Sequence, residues 1–338
     1  MGGASGKAER RRLKSPIRWG ILGCGDVTEK KSGPAFQKAR GSELVAVMRR
    51  TPGLARDYAR RHGVGRSYED ADALISDPDV DAVYVATPPG SHAELALRCA
   101  QARKPCYVEK PMARTAVECR AMIEAFRAAK TPLFVAYYRR ALPRFLAIKR
   151  AIESGEIGAV RFVSIVLHRA VSTGERDPQA LPWRVQPDIA GGGHFVDLAC
   201  HTLDFLDYAL GPIQRVAGFA ENQAGLYPAE DAVAMSFRLQ SGALGTGSFS
   251  FAASGSADEV VVTGSEGEVR FATFADEPVR IEGRGERREE SIAHPPHIQQ
   301  PMVQAVVDEL LGAGPPSPST GETALRTTWV MEQALAAR

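Results

Sequence analysis

From Ile17 onward, short apolar runs alternate with amphipathic stretches, and this rhythm constrains the fold more than any single residue does. The runs are I-R-W-G-I-L (17–22), E-L-V-A-V-M (43–48), D-A-V-Y-V-A (81–86), P-C-Y-V (105–108) and P-L-F-V-A-Y (132–137). Between them lie segments such as E-L-A-L-R-C-A-Q-A (94–102) and A-V-E-C-R-A-M-I-E-A-F-R-A-A (116–129), with apolar residues at helical spacing. A strand that is apolar on both faces must be covered on both, and intervening helices supply that cover. The rhythm predicts βαβ units in an α/β fold with a doubly wound parallel sheet. Thr51-Pro52 reads as a helix N-cap followed by a first-turn proline, and Asp77-Pro78 as a break before the next strand.

After about residue 140 the pattern changes. A helix through Phe145–Glu153 precedes the alternating runs V-R-F-V-S-I-V-L-H (160–168), A-V-A-M-S-F-R-L (232–239) and A-L-G-T-G-S-F-S-F (243–251), and E-V-V-V-T-G-S-E-G-E-V-R-F (259–271) reads as a hairpin. Alternating strands joined by Gly-containing turns predict an α+β domain with an open, mainly antiparallel sheet. G-A-G-P-P-S-P-S-T-G (312–321) is a proline-rich connection, and Thr320 or Glu322 starts the last helix. The expected organisation is a disordered leader over 1–15, a parallel domain over 16–138 and an α+β domain over 139–338, whose terminal helices are free to pack back on the first.

Composition narrows the partners. With 42 Lys and Arg against 40 Asp and Glu in 338 residues, the net charge of +2 lacks the basic excess of a nucleic-acid binder. No run approaches the ~18 apolar residues of a membrane span. The I-L-G-C stretch ending at Cys24 lacks the apolar region that a lipoprotein signal needs, and Gly2 reads as part of a flexible leader rather than a myristoylation site. Five cysteines without a C-x-x-C pair fit a reducing, cytoplasmic compartment.

The chemistry-bearing motifs fall at the ends of the apolar runs. G-C-G-D-V-T (Gly23 to Thr28) follows the first. Two glycines at this spacing let the backbone turn tightly and approach a pyrophosphate, with Asp26 and Val27 opening the next helix; as a partial fingerprint it also fits mere turn chemistry. Dinucleotide sites usually carry an acidic residue at the end of the second strand to hold a ribose. Here that position reads Arg49, Arg50 and Thr51, and two guanidinium groups suit the additional phosphate of NADP unless they are simply solvated. T-P-P-G-S-H (Thr87 to His92) and E-K-P (Glu109 to Pro111) end two further runs. A lysine between Glu and Pro after an apolar run is hard to explain as packing, although an exposed lysine is the bland alternative. Finally, Gly191-Gly192-Gly193-His194 opens a helix with Phe195, Leu198, Ala199, Thr202, Phe205 and Leu206 on an apolar stripe. Asp197 and His201 stand four apart on another face, so their side chains can meet. A structural His–Asp contact, or a metal site with His194, competes with a catalytic pair. No further ligand is evident, since the other histidines are scattered, so no metal is expected.

Together these residues resemble the Gfo/Idh/MocA family of NAD(P)-dependent oxidoreductases from about Ile17 to the C-terminus. Its most specific marks are Glu109-Lys110-Pro111 and the D-x-x-x-H of Asp197 and His201. The resemblance implies an N-terminal Rossmann domain and a C-terminal domain whose open sheet forms a homo-oligomer, a dimer or tetramer. Within the family the R-R-T strand end is closest to NADP-using sugar reductases such as 1,5-anhydrofructose reductases. Cofactor contacts are then expected from Gly23, Gly25, Asp26, Val27, Arg49, Arg50, Thr51, Thr87, Pro88, His92, Glu109, Lys110, Trp183 and Arg184. Lys110, Tyr138, Arg139, His194, Asp197 and His201 are expected around a carbohydrate-like substrate, with Tyr137 beside them. Lys110, His201 and Asp197 are expected to carry the chemistry: Lys110 holds the substrate oxygen, His201, titrating near 6.5 unless perturbed, exchanges the proton, and Asp197 orients its ring or holds a substrate hydroxyl, with Lys110 as the acid and His201 only binding substrate as the alternative. Two departures stand out: Pro89 replaces the Asn of the family's T-P-N-x-x-H, and Thr28 replaces the small third residue of the glycine fingerprint. The expected activity is NADP-dependent oxidoreduction of a sugar, cyclitol or related small molecule, with NAD as second cofactor. A catalytically silent NADP sensor and a metal-dependent hydrolase built on His194, Asp197 and His201 are the alternatives.

Overall fold

In the run 17–22 every residue but Arg18 is buried, and the run forms β1 (Ile17–Leu22), a central strand of a six-stranded parallel sheet. The structure, a computed structural model, describes residues 13–336. The sheet adds β2 (Ser42–Met48), β3 (Arg66–Tyr68), β4 (Ala82–Val85), β5 (Cys106–Val108) and β6 (Leu133–Val135) in the order β3-β2-β1-β4-β5-β6. Helices α1 (Asp26–Lys30), α2 (Gly33–Lys38), α3 (Leu54–His62), α4 (Ala71–Ser76), α5 (His92–Gln101) and α6 (Ala116–Ala129) make the connections. The expected doubly wound sheet is therefore present. Its strand order reverses between β1 and β4, where ligands enter such sheets. Under the reversal Trp19, Phe36, Tyr84 and Tyr107 pack ring against ring, with successive centroids 4.8, 5.1 and 5.3 Å apart.

One strand lies outside the apolar runs, and one local expectation is corrected. β3 is polar and only three residues long, so it carries no apolar run to mark it. Thr51-Pro52 does not begin a helix: α3 starts at Leu54, and Gly53 caps it from the left-handed region (φ 80°). Thr51 and Pro52 instead make a turn closed by Leu54 N–H donating to Thr51 O (3.3 Å).

The second half comprises α7 (Pro143–Glu153), β7 (Val160–His168), α8 (Pro187–Ala190), a π-helical turn over Phe195–Ala199 that runs into α9 (Cys200–Leu210), and seven further strands. These are β8 (Ile213–Glu221), β9 (Ala232–Leu239), β10 (Leu244–Ser250), β11 (Ala257–Gly264), β12 (Gly267–Phe271), β13 (Val279–Gly283) and β14 (Glu286–Glu290). They form one sheet in the order β14-β13-β12-β11-β7-β10-β9-β8. It is mainly antiparallel, with β7 and β10 paired in parallel because the chain leaves β7 for α9 and the β8–β9 hairpin before returning.

The terminal helices α10 (Gln300–Leu311) and α11 (Gly321–Leu335) return to the first sheet's layer: α10 packs on α2, and α11 packs on α6, β6, α9 and β8. Apolar side chains from both halves form one continuous core. Most of the leader lies outside the described residues. Its last part is ordered, with Leu13 N–H donating to Leu310 O (3.0 Å). All five cysteines are buried free thiols. Among the described residues no helix is long and apolar enough to cross a membrane.

Candidate active site

A cleft of about 1130 Å³ opens at the carboxyl ends of β1, β2, β4 and β5, and the second half of the chain closes its far side. Gly23 turns the chain after β1 at φ +90°; a Cβ there would lie 2.7 Å from Thr87 Cγ2 and 3.0 Å from the Thr87 nitrogen. A Cβ on Gly25 would come no closer than 3.9 Å to any atom. The loop is thus pressed against β4 at Gly23 and left bare at Gly25, the shape that lets a phosphate approach backbone N–H groups. Asp26 and Val27 complete this wall. Thr28 is tolerated because its hydroxyl turns inward and donates to Gly25 O (2.7 Å), while its carbonyl accepts from Tyr58 (2.8 Å). The close approach falls at Gly33 instead, where a Cβ would sit 2.2 Å from Thr28 O.

At the other end of this half, Arg49, Arg50 and Thr51 line the cleft after β2. Arg49 is half-buried, its Nη1 donating to Cys24 O at 3.3 Å, whereas Arg50 and Thr51 are exposed. Glu69 and Asp70 border the same end, and no motif marked them. Thr87 and Pro88 belong to the wall, but His92 does not. Its buried ring lies between Thr87 O (2.7 Å) and Pro111 O (3.0 Å), tying together the loops that follow β4 and β5. Pro89 opens a 3₁₀ turn that delivers that ring.

Lys110 leaves β5 directly into the cleft. Glu109 anchors it: Oε2 accepts the Lys110 N–H (3.0 Å), while Oε1 accepts from Tyr84 (2.6 Å) and Gln299 (2.6 Å). The Lys110 ammonium crosses to the second half, donating to Asp197 Oδ1 (2.6 Å) and Asp197 O (2.9 Å). Arg184 Nε approaches Asp197 Oδ2 (3.3 Å) and its guanidinium lies over Trp183, 4.4 Å from the ring centroid. Burial alone would push the lysine pKa down, but the Asp197 carboxylate raises it above the usual lysine range. Burial likewise opposes the Asp197 charge, yet Lys110 and Arg184 hold that carboxyl below its ordinary value.

His201 lines the same cleft, with its ring edge-on to Tyr138 (5.3 Å) and Phe274 (5.8 Å). It does not meet Asp197. The intervening turn is π-helical, and a wider turn breaks the spacing that would stack residues four apart. Its Nδ1 is buried without a hydrogen-bond partner among the described residues. Burial, followed by the charges of Arg139, Lys110 and Lys31, pushes its pKa well below 6.5, away from the titration near neutrality of an unperturbed imidazole and towards the neutral form.

His194 reaches the cleft but bonds Glu175 Oε1 (2.8 Å), so it does not converge with Asp197 and His201 on a metal position. Tyr138 lines the cleft; Tyr137 and Arg139 do not. Arg139 is buried, donating to Thr273 O (3.0 Å) and Tyr138 Oη (3.1 Å), with the Phe274 ring 4.7 Å from its Cζ. Lys31, Arg169, Phe274 and Gln299 line the cleft without belonging to any motif.

Comparison with known proteins agrees with this layout. Residues 17–137 match the family model described as the oxidoreductase family with an NAD-binding Rossmann fold, and residues 145–270 match the GFO/IDH/MocA C-terminal domain. An oxidoreductase of Formosa agariphila is 35% identical over 95% of this chain and 98% of its own length. The 1,5-anhydro-D-fructose reductase of Ensifer adhaerens is 33% identical over 67% of each chain. Among solved structures, the aldose-aldose oxidoreductase of Caulobacter crescentus, complexed with glycerol, superposes with a TM-score of 0.84 at 26% identity, covering 95% of this chain and 97% of that one.

Proposed function

Because the chain belongs to the GFO/IDH/MocA family of NAD(P)-binding oxidoreductases, we propose that it moves a hydride between the nicotinamide of NADP and a hydroxyl- or carbonyl-bearing carbon of a sugar, cyclitol or related small polar molecule. NAD can serve in its place. The observation that carries this reading is the Lys110 ammonium, fixed by Asp197 at 2.6 Å, in the same cleft as the bare Gly23–Gly25 turn. That turn suits a pyrophosphate. Arg49 and Arg50, with no carboxylate at the end of β2, favour a cofactor that bears a further phosphate at its adenosine end. The sugar-directed names of the reductase and the aldose oxidoreductase above support the substrate class.

The residue roles follow from their charge states. In reduction, Lys110 holds the substrate oxygen and gives it a proton, stabilising the alkoxide charge as it develops. Oxidation retraces the same step, the hydroxyl proton passing back to Lys110 as its free amine, while neutral His201, in the same cleft, accepts a hydrogen bond from the substrate hydroxyl. Asp197 keeps the lysine charged, and Tyr138, edge-on to His201, presents its ring to the substrate end. Exposed Phe219 and Leu244 on the outer face of the second sheet support assembly of copies through that sheet. Five unpaired buried thiols support a reducing, cytoplasmic compartment.

A screen of sugars, cyclitols and their keto forms, followed by NADPH absorbance, tests the reading. Turnover is expected with at least one, and Lys110→Ala should reduce it about 10²-fold or more. No turnover with either cofactor, or near-normal turnover in Lys110→Ala, overturns it.

A further inference from the structure

The substrate end of the cleft holds a half-buried cation that this chemistry does not use. Arg169 follows β7, and its backbone is fixed on both sides: its N–H donates to Ser250 O (2.7 Å) and its carbonyl accepts from Ala253 N–H (3.1 Å). Its guanidinium lies over Phe274, 4.9 Å from the ring centroid, and the same ring meets His201 edge-on. Phe274 is itself held. The Asp258 carboxylate accepts the N–H groups of Thr273 (2.9 Å), Phe274 (2.6 Å) and Ala275 (2.9 Å), fixing the turn that carries the ring. The guanidinium therefore sits one aromatic ring from the imidazole, on clamped elements at both ends.

Lys110 and Arg184 share Asp197, and buried Arg139 is spent on Thr273 O and Tyr138 Oη. Arg169 is half-buried and has no carboxylate partner among the described residues; Lys31, the other cation near His201 without one, is exposed. A guanidinium is always charged, weakly hydrated, and shaped to bind a carboxylate with two parallel hydrogen bonds. A neutral hydroxyl would leave that charge unmatched. We propose that Arg169 recognises a carboxylate on the substrate, so that this enzyme works on sugar acids, uronates or aldonates, in preference to neutral sugars. The proposal rests on the reading of Lys110 and His201 as the reacting end of the cleft.

Calorimetric titration of the NADP⁺-loaded protein with a panel of uronates and aldonates, against the matching neutral sugars, tests this apart from turnover. The best acid should bind about 10- to 100-fold more tightly than its neutral counterpart, the range of a charge-assisted contact. Arg169→Ala should erase that difference and leave neutral-sugar binding in place, and Arg169→Lys, a second variant should the first fold poorly, should keep part of it. Equal binding of acids and neutral sugars by the wild type, or an acid preference that survives Arg169→Ala, overturns the proposal. Arg169-dependent acid binding without any turnover would sink the oxidoreductase reading and keep this one. Turnover confined to neutral sugars would do the reverse.

Discussion

Replacing Asp197 with Asn removes one charge and little else. The shape is kept, and the Asp197 backbone carbonyl still accepts from Lys110 Nζ at 2.9 Å. What disappears is the carboxylate that outweighs burial and holds the lysine above its usual range. Two charges at about 4 Å attract by roughly 4 kcal/mol at an effective dielectric near 20. At 1.36 kcal/mol per pKa unit, that is worth up to about 3 units. The Lys110 pKa should then fall towards the ordinary lysine value of about 10.4, with burial pulling it down against the remaining charge of Glu109. The assay is the pH profile of kcat in the reducing direction between about pH 6 and 10. A lysine whose pKa is raised stays protonated across that window, so the wild type should be flat on this account. The variant should lose rate as the pH rises, because the proton donor is being emptied. In the oxidising direction its rate should climb over the same range, as the free amine becomes a base. Loss of one partner of a buried pair costs roughly 3–5 kcal/mol, so the fold is checked by melting before the profile is read. A variant whose profile runs parallel to that of the wild type, with only KM raised, would refute the reasoning and leave Asp197 as a substrate ligand.

Other outcomes follow from the same geometry. Arg49→Ala or Arg50→Ala should weaken NADPH binding by about 10- to 100-fold and barely change NADH binding; equal affinity of the wild type for the two would refute the phosphate reading. His201→Ala should cut turnover by about 10²-fold or more with NADPH binding intact. Because its ring is held well below 6.5, the wild-type profile should show no inflection from His201 between about pH 8 and 6.5, and one centred there would contradict the burial argument. Gly23→Ala, forced to φ +90° with its Cβ 2.7 Å from Thr87, should cost about 1–3 kcal/mol of stability in a denaturant titration and most of the cofactor affinity. Lys110→Arg should keep cofactor binding but lose turnover, since a guanidinium does not give up its proton; retained turnover would reduce Lys110 to a purely electrostatic role.

Much of this was legible because burial writes itself into composition. β1, β7 and β9 coincide with their apolar or alternating runs, and α6 with its periodic segment. The motif residues Gly23, Lys110 and Asp197 converge because each ends or follows such an element. The failures have a common cause: what they needed was tertiary. β3 exists by pairing with β2, not by its own three polar residues. Asp197 and His201 part because the turn between them is π-helical, which a four-residue spacing does not report. Arg139 follows Tyr138 in sequence, yet only one of the two faces the cleft, because the 3₁₀ turn over Tyr138–Ala141 sends the arginine under Phe274. Gln299 and Arg169 come from segments without any motif and are brought to the site by the start of α10 and the end of β7.

The choice of lysine at position 110 follows from counting donors. An ammonium has three N–H bonds and no acceptor. Two are committed, to Asp197 Oδ1 and Asp197 O, and both acceptors belong to the second half of the chain. One remains, and tetrahedral geometry fixes its direction once the other two are held. The residue below, Glu109, fixes the root of the side chain through the Lys110 N–H, and Gln299 and Tyr84 hold Glu109 in turn. The free N–H is thus aimed from both ends of the side chain, by a network that spans the two sheets. The same bonds that join the halves of the protein therefore orient the single donor left for a substrate oxygen, and a movement of either half would misdirect it. Pre-organisation of this kind stabilises developing charge without reorganisation at the moment of reaction.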